Sequence, residues 1–159
     1  MNISKFTQKS VQAVQDLEKI AYEYGNQEIE EEHLLYALLT QEDSLILKLI
    51  EKMEIQKEYF IDTVKRALDA RVKVSGGELR FGQYLNKALV SAEDEAKAMG
   101  DEYVSVEHLF LSMLKNPSPS MKKLFNEFGI TRERFLQALS TVRETRELSV
   151  TTRRQPMIP

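Results

Sequence analysis

Apolar residues at helical spacing divide the first half of the chain into four segments. Val11, Val14 and Leu17 begin a series at intervals of three and four residues, and Gly25 follows where this series ends. The pattern predicts a first helix that starts after Thr7, a good N-cap residue, and that ends at Gly25 in a left-handed turn. The same periodicity predicts three further helices at about residues 31–40, 43–53 and 56–71.

The second half of the chain repeats the first at a constant offset of 75 residues, without a gap. The stretch IEEEHLLYALL at 29–39 corresponds to VSVEHLFLSML at 104–114, so the two histidines of the chain, His33 and His108, occupy equivalent positions. Gly25 corresponds to Gly100 in the same phase. One phase held over roughly 55 residues indicates a duplicated unit, and two copies make a pair, not a solenoid.

The predicted fold is therefore all-α, with eight helices arranged as two four-helix repeats related by a pseudo-twofold axis. Repeat one covers 1–71, a joint covers 72–80 and repeat two covers 81–146, and together they form one domain. The apolar period fades after about residue 146, so 147–159 are predicted to be a flexible tail or the start of a linker.

Turn and cap residues place the helices of the second repeat. Gly82 is expected to open its first helix and Gly100 to end it. Ser105 and Thr131 are N-cap residues for its second and last helices. The prolines of NPSPS at 116–120 separate the second helix from the third, because proline suits a first turn and not a helix interior.

Composition limits the class of protein. Hydrophobic residues make up 42% of the chain, which is enough for a real core. With 22 basic and 25 acidic residues, the net charge of −3 gives no electrostatic reason to expect nucleic acid or an anionic membrane as a partner. The absence of cysteine excludes disulfides and thiolate metal sites, and the absence of a signal peptide or membrane span predicts a soluble, cytoplasmic protein.

The two histidines do not form a recognisable chemical site. A metal site of the His-Glu-x-x-His kind would need partners at ligand spacing, and none is present, so we expect no metal and a local hydrogen bond for each imidazole near its own helix start. No nucleophile motif is present, and no catalytic residue is expected. In GELRFGQY at 77–84, Gln83 and Tyr84 replace the lysine and hydroxyl of a phosphate loop, so this chain by itself should not bind ATP.

Two glutamates occupy equivalent places in the repeats. Glu32 and Glu107 lie in the first turns of their predicted helices, where a carboxylate interacts favourably with the helix dipole. A second interpretation is that these residues form a pair of exposed carboxylates suited to basic or polar segments of a partner.

The doubled pattern resembles the Clp amino-terminal domain of the Hsp100 AAA+ chaperones. The segments FTQKSVQAV…AYEYGNQEIEEEHLLYALL and AEDEAKAMGDEYVSVEHLFLSML carry this resemblance, which covers about residues 3–145. The tail ALSTVRETRELSVTT looks most like that of the ClpB disaggregases, with the ClpC unfoldases next. The resemblance implies a substrate- and adaptor-docking module of a homohexameric machine that threads unfolded or aggregated proteins, with its ATP-binding modules downstream of residue 159.

The resemblance also implies candidate substrate-binding residues. ClpB-like domains use positions that match Thr7, Asp101 and Glu107 in this sequence. ClpC-like domains bind phosphorylated arginine through positions that match Glu32, Glu107 and Thr7, but Gly82 stands where they carry a second threonine, which puts the second pocket in doubt.

Apolar residues are also expected to contribute to binding. Leu109 and Phe110 are candidates to line part of a groove between the repeats, although such positions more often belong to a core. Ser91 and Glu95 are expected at exposed positions near an apolar groove, which would weaken its affinity. A stand-alone ligand-binding or enzymatic helical protein is the third alternative, disfavoured by the lack of a convergent catalytic set.

Overall fold

The structure, a computed structural model, describes residues 2–154, with side chains described through residue 144. Eight α-helices make up most of the fold, which confirms the all-α prediction. A 3₁₀ turn at Ile3–Lys5 precedes them, and two short strands, β1 (Glu28–Ile29) and β2 (Arg80–Phe81), lie between them. The helices are α1 (Gln8–Glu23), α2 (Glu31–Leu39), α3 (Leu45–Lys52), α4 (Lys57–Asp69), α5 (Gln83–Ala98), α6 (Val106–Lys115), α7 (Pro119–Glu127) and α8 (Arg132–Arg154).

Caps and turns end the helices close to the predicted positions. The Thr7 hydroxyl accepts a hydrogen bond from the Ser10 amide at 3.3 Å, which caps α1. Gly25 and Gly100 both adopt a left-handed conformation, with φ of +69° and +71°, which few residues with a side chain tolerate. Thr131 accepts from the Arg134 amide at 3.2 Å at the start of α8.

Each repeat begins with an extended segment that pairs with the other repeat. The strands β1 and β2 are parallel neighbours, and Phe6 forms an isolated parallel bridge with Val104. The Gly82 amide donates to the Ile29 carbonyl at 2.8 Å, and the Thr7 amide donates to the Val104 carbonyl at 3.0 Å. The donors Thr7 and Gly82 are 75 residues apart, and so are the acceptors Ile29 and Val104. Each repeat therefore pairs its first extended segment with the other repeat in the same way. The sequence did not predict the two strands, and the rotation that relates the repeats stays a prediction.

A single core joins the two repeats. Helix α2 packs against α1, α3, α4, α5 and α6, and α6 packs in addition against α7 and α8. Leu109 and Phe110 on α6 are fully buried, and the Phe110 ring stacks on Phe135 at 4.4 Å between centroids. The expectation that these two residues line a groove is therefore wrong, because both side chains lie in the core, where Phe110 packs on other aromatic residues of repeat two.

Helix α8 continues through Arg154, past the point at which the apolar pattern fades. No glycine or proline interrupts the chain between residues 132 and 154, so the loss of apolar contacts does not by itself end the helix. The predicted tail at 147–159 thus overlaps α8, and residues 155–159 lie outside the described residues. Within the described part of the chain, no helix has the length and hydrophobicity needed to span a membrane.

Candidate functional site

Glu32, in the first turn of α2, is buried. Its Oε2 accepts a hydrogen bond from Arg71 Nη1 at 2.8 Å, and Arg71 also donates to Glu28 Oε1 at 3.2 Å. Only 2% of Glu32 is exposed. The interpretation of Glu32 as an exposed carboxylate is therefore wrong, because the guanidinium that follows α4 neutralises the charge from within the domain.

Glu107, the equivalent residue of α6, is also buried and also paired with an arginine. Arg143 Nη2 donates to Glu107 Oε2 at 2.9 Å and to Asp101 Oδ2 at 2.8 Å. Burial acts to raise the pKa of Asp101, but hydrogen bonds from Arg143 and His108 outweigh it and hold that pKa below its usual value. The structure thus brings Asp101 and Glu107 together on one guanidinium, and corrects the expectation that Glu107 is exposed.

Each histidine bonds at the start of its own helix, as predicted. His33 Nδ1 accepts from the Glu30 amide at 2.9 Å, so its Nε2 carries the proton and donates to Asn26 Oδ1 at 2.9 Å. His108 repeats this arrangement with the Ser105 amide and Asp101 Oδ2, each at 2.8 Å. Among the described residues, no group of histidine, aspartate and glutamate side chains could hold a metal ion.

Burial keeps the first of these histidines neutral. Burial and the positive charges of Arg71 and Lys73 lower the pKa of His33 to about 4. A pKa lowered in the folded state means that this site contributes stability above the unfolded value of about 6.5, and that the contribution is lost as the pH falls toward 4. His33 is therefore neutral at neutral pH, and both of its ring nitrogens are engaged in hydrogen bonds within the domain.

Thr7 lies beside the segment that connects Asp101 with Glu107. Its amide bonds to Val104, and the neighbouring Ser10 hydroxyl donates to the same Val104 carbonyl at 2.9 Å. Val104 stands midway between Asp101 and Glu107 in the sequence. The three residues expected for a ClpB-like site are therefore held around one segment, residues 101–107, whereas Glu32 lies in the other repeat's equivalent position.

Gly82 is glycine because a carboxylate occupies the space that a side chain would take. A Cβ built on Gly82 would lie 1.8 Å from Glu30 Oε1, and this oxygen accepts from the Leu85 amide at 3.2 Å. Glu30 thus caps α5 from the other repeat. By contrast, α1 is capped by Thr7, the residue that directly precedes it. The equivalent of Glu30 is the small Ser105. The two equivalent junctions between the repeats therefore carry different residues. One has Thr7 and the small Ser105, and the other has Gly82 and the larger Glu30.

Glu95 on α5 is not exposed, contrary to the expectation from the sequence. It is 3% exposed, and both of its oxygens accept from the guanidinium of Arg132, at 2.7 and 3.2 Å. This bidentate pair ties the middle of α5 to the start of α8. Glu95 therefore cannot weaken an apolar groove by projecting into it, whereas Ser91 is partly exposed.

A surface groove lined by both apolar and polar side chains lies between the N-terminal segment and α5. The groove has a volume of about 470 Å³. Its most exposed apolar side chain is Val90, at 61%, and Ile3 in the adjoining 3₁₀ turn is 46% exposed. The groove is lined by Asn2, Phe6, Leu89, Val90 and Glu93. A groove near this helix was expected from the sequence, but its lining residues were not predicted, because helical spacing marks buried and groove-lining positions alike.

The family of the chain follows from comparison with known proteins. The family model described as "Clp repeat (R) N-terminal domain" matches residues 5–128. The chain belongs to this family, and its fold is that of the N-terminal domains of Hsp100 proteins.

Individual relatives refine this assignment. The chain is 39% identical over 155 residues to the chaperone protein ClpB of Nitratidesulfovibrio vulgaris, covering 94% of this chain and 18% of the relative. It is 39% identical over 148 residues to ClpB of Clostridium tetani, covering 90% of this chain and 17% of the relative. The chain thus spans less than a fifth of the length of these two relatives.

Solved structures with lower sequence identity share the fold. The N-terminal domain of Hsp104 from Candida albicans superposes with a TM-score of 0.75 at 21% identity, covering 87% of this chain and 91% of that one. A ClpV N-domain, solved as a complex with a VipB peptide, superposes with a TM-score of 0.66 at 22% identity, covering 87% and 89%.

Proposed function

We propose that this chain is the substrate-docking domain of a ClpB-like protein disaggregase, which engages exposed segments of unfolded or aggregated polypeptides. The single observation that carries this proposal is the groove beside α5, which presents Val90 and Ile3 to solvent on a folded domain. Exposed apolar side chains around a concave surface are typical of sites that bind another chain. The ClpV N-domain of the same fold, solved with a VipB peptide, supports this use of the fold.

A backbone bridge links the groove to the segment that carries Asp101 and Glu107. Phe6 lines the groove and bridges to Val104, and Val104 lies between the two carboxylate residues in the sequence. A polypeptide segment in the groove would therefore place neighbouring side chains beside Asp101, which is 28% exposed at its side chain. Apolar residues followed by a basic residue fit this surface best.

Weak binding suits this function. The groove is shallow and its polar lining residues, Asn2 and Glu93, limit the apolar contact area. A domain that must accept many unfolded chains and then release them benefits from such plastic contacts. In a homohexamer, six tethered copies would raise the local concentration of sites, so that individually weak contacts act together. We place the ATP-binding modules of the machine outside this chain, which holds no catalytic residue and no cofactor of its own in the proposed function.

Matched substitutions of two exposed valines test the role of the groove. Val90→Asn is expected to weaken binding of a fluorescein-labelled unfolded polypeptide about threefold to tenfold, because it removes an apolar contact of roughly 1 kcal/mol. Val72→Asn is the control, since Val72 is 80% exposed and lies in the joint, away from the groove. Fluorescence anisotropy gives both affinities. Equal affinities for the two variants would contradict the proposed docking site.

Neutral substitutions test the carboxylate pair. Asp101→Asn and Glu107→Gln together are expected to weaken binding of a polypeptide that carries arginine or lysine by about threefold, with little effect on a polypeptide that lacks them. Glu32→Gln, in the equivalent position of repeat one, serves as the control. An equal loss of affinity for both polypeptides would indicate that Asp101 and Glu107 only stabilise the fold and do not contact the basic residues of the polypeptide.

The alternative function, phosphoarginine binding by a ClpC-like domain, finds little support in the described residues. Glu32 is only 2% exposed and already pairs with Arg71, and the Glu30 carboxylate stands where an anionic ligand would approach the start of α5. We expect no binding when free phosphoarginine is titrated against the domain in a calorimeter. Binding that is lost on Glu107→Ala would favour the ClpC-like function instead.

A further inference from the structure

The body of the domain holds α8 in two different ways along its length. Phe135, Ala138 and Leu139 are buried against the core. Leu139 is the last buried side chain of α8 among those described, and the residues after it are half-buried or exposed. The helix therefore runs from a fully packed part into a part whose described contact with the apolar core is the half-buried Val142.

A surface cleft separates this second part of α8 from the end of α5. The cleft has a volume of about 390 Å³ and lies between Met99 on one side and Leu136, Leu139 and Arg143 on the other. Beside the half-buried Val142, an ionic contact joins α8 to the body here. The Arg143 guanidinium reaches Asp101 Oδ1 at 3.4 Å, Asp101 Oδ2 at 2.8 Å and Glu107 Oε2 at 2.9 Å.

The ionic contact of Arg143 with Asp101 and Glu107 combines favourable geometry with partial exposure to solvent. One guanidinium serves three carboxylate oxygens, which is the favourable fork geometry of arginine. At the same time, Arg143 and Asp101 keep 33% and 28% of their side chains exposed, so water and other charges reach the pair. Solvent screening of this kind keeps the contribution of a partly exposed ion pair modest.

We propose that Arg143 is a displaceable latch that couples the position of α8 to the occupancy of the docking site. A basic side chain of a docked polypeptide competes with Arg143 for Asp101 and Glu107, and its binding releases the part of α8 that follows Leu139. The direction in which the chain leaves the domain then depends on whether substrate is bound. This competition rests on the proposed docking function, whereas the fastening of α8 by Arg143 does not.

Amide hydrogen exchange of residues 140–144, measured by NMR, tests the fastening. Arg143→Ala is expected to raise exchange there about tenfold, which corresponds to the loss of roughly 1.4 kcal/mol, and to leave α1 to α3 unchanged. Arg143→Lys keeps the charge but loses the fork, so it should give a smaller rise and serves if the alanine variant is unstable. Arg66→Ala is the matched control, because the Arg66 guanidinium on α4 donates to Thr63 of the same helix and lies over the Tyr59 ring. Unchanged exchange at 140–144 in Arg143→Ala would refute the latch.

Binding of a short peptide rich in leucine and arginine, and of the same peptide with glutamine for arginine, tests the competition. Arg143→Ala should bind the arginine peptide about threefold to fivefold more tightly than the wild type, with no gain for the glutamine peptide. Because coupling is reciprocal, saturating arginine peptide should also raise exchange at 140–144 in the wild type. An equal gain for both peptides, or no gain, would overturn the competition. If the wild type bound neither peptide, the docking function would fail, and the exchange data alone would still decide whether Arg143 fastens α8.

Discussion

Replacing Gly82 with threonine is expected to destabilise the domain by about 2–3 kcal/mol. The backbone of Gly82 is extended, with φ of −72°, so threonine fits the backbone without strain. The cost comes from the side chain, because its Cβ takes the place of the Glu30 carboxylate. That carboxylate would lose the Leu85 amide and remain in a site where Glu30 is only 5% exposed.

A second substitution should reverse this effect. Glu30→Ser with Gly82→Thr copies the pairing of Ser105 with Thr7, which the other junction of the chain already uses. The serine frees the space, and the threonine hydroxyl can cap α5 as Thr7 caps α1. Glu30→Ser alone should cost about 1 kcal/mol through the lost cap. The double variant should lie within about 0.5 kcal/mol of the wild type, so the two changes are strongly coupled.

Urea unfolding followed by circular dichroism, on the wild type, both single variants and the double variant, measures this coupling. Simple addition of the two single costs in the double variant would show that Glu30 and Gly82 do not act as a pair. Thr7→Gly, at the equivalent position, is a useful comparison. It should cost only a few tenths of a kcal/mol, since glycine is itself tolerated at an N-cap and, within the described residues, no carboxylate from the other repeat caps α1 there.

Replacing Glu31 with glutamine is expected to stabilise the domain at neutral pH. Glu31 is fully buried, its Oε1 accepts from the Ser118 amide at 2.7 Å, and within the described residues its Oε2 has no hydrogen-bond partner. Burial and the charges of Glu30 and Glu32 raise the pKa of Glu31 to about 8, although the Ser118 amide acts in the opposite direction. Glutamine keeps an oxygen for Ser118 and carries no charge.

The sign of the pH dependence follows from this raised pKa. The folded state holds the Glu31 proton more tightly than the unfolded state, whose pKa is 4.5. The stabilisation is complete below pH 4.5 and is lost as the pH rises toward 8, at up to about 1.4 kcal/mol per unit. The difference in free energy of unfolding between Glu31→Gln and the wild type should therefore be small near pH 4.5 and reach about 3 kcal/mol at pH 7.

The neighbouring Glu32 offers a control with the opposite expected sign. Glu32→Gln removes the charge that Arg71 neutralises, so it should destabilise the domain by about 1–3 kcal/mol at neutral pH. Thermal and urea unfolding of both variants between pH 4.5 and 8.5 make the comparison. A difference between Glu31→Gln and the wild type that did not grow with pH would contradict a buried, protonated Glu31.

Local patterns in the sequence were sufficient to predict the helices and the residues at which they begin and end. The series of apolar residues that begins at Val11, the N-cap Thr7 and the left-handed Gly25 each act within a few residues, and all three behave as predicted. The duplication then extended the same reasoning to repeat two. The histidines were also predictable, because each hydrogen bond at a helix start spans only three residues.

Contacts between distant parts of the chain determine the rest. Arg71 lies 39 residues from Glu32, and Arg143 lies 36 residues from Glu107, so no local period links these partners. Placing Glu32 and Glu107 on the surface was the natural expectation for charged residues in a first turn, and it failed because each has an internal arginine. The Glu30–Gly82 pair likewise depends on how the two repeats pack.

Mapping of chemical-shift changes during titration with an unfolded polypeptide tests the docking function most directly. The isolated domain, labelled with nitrogen-15, should show its largest changes at residues 2–7, at Leu89 and Val90 on α5, and along 101–107, with exchange in 140–144 increasing as the site fills. Changes confined to the joint at 72–80, or the absence of any change at polypeptide concentrations well above those of the protein, would contradict a docking surface beside α5.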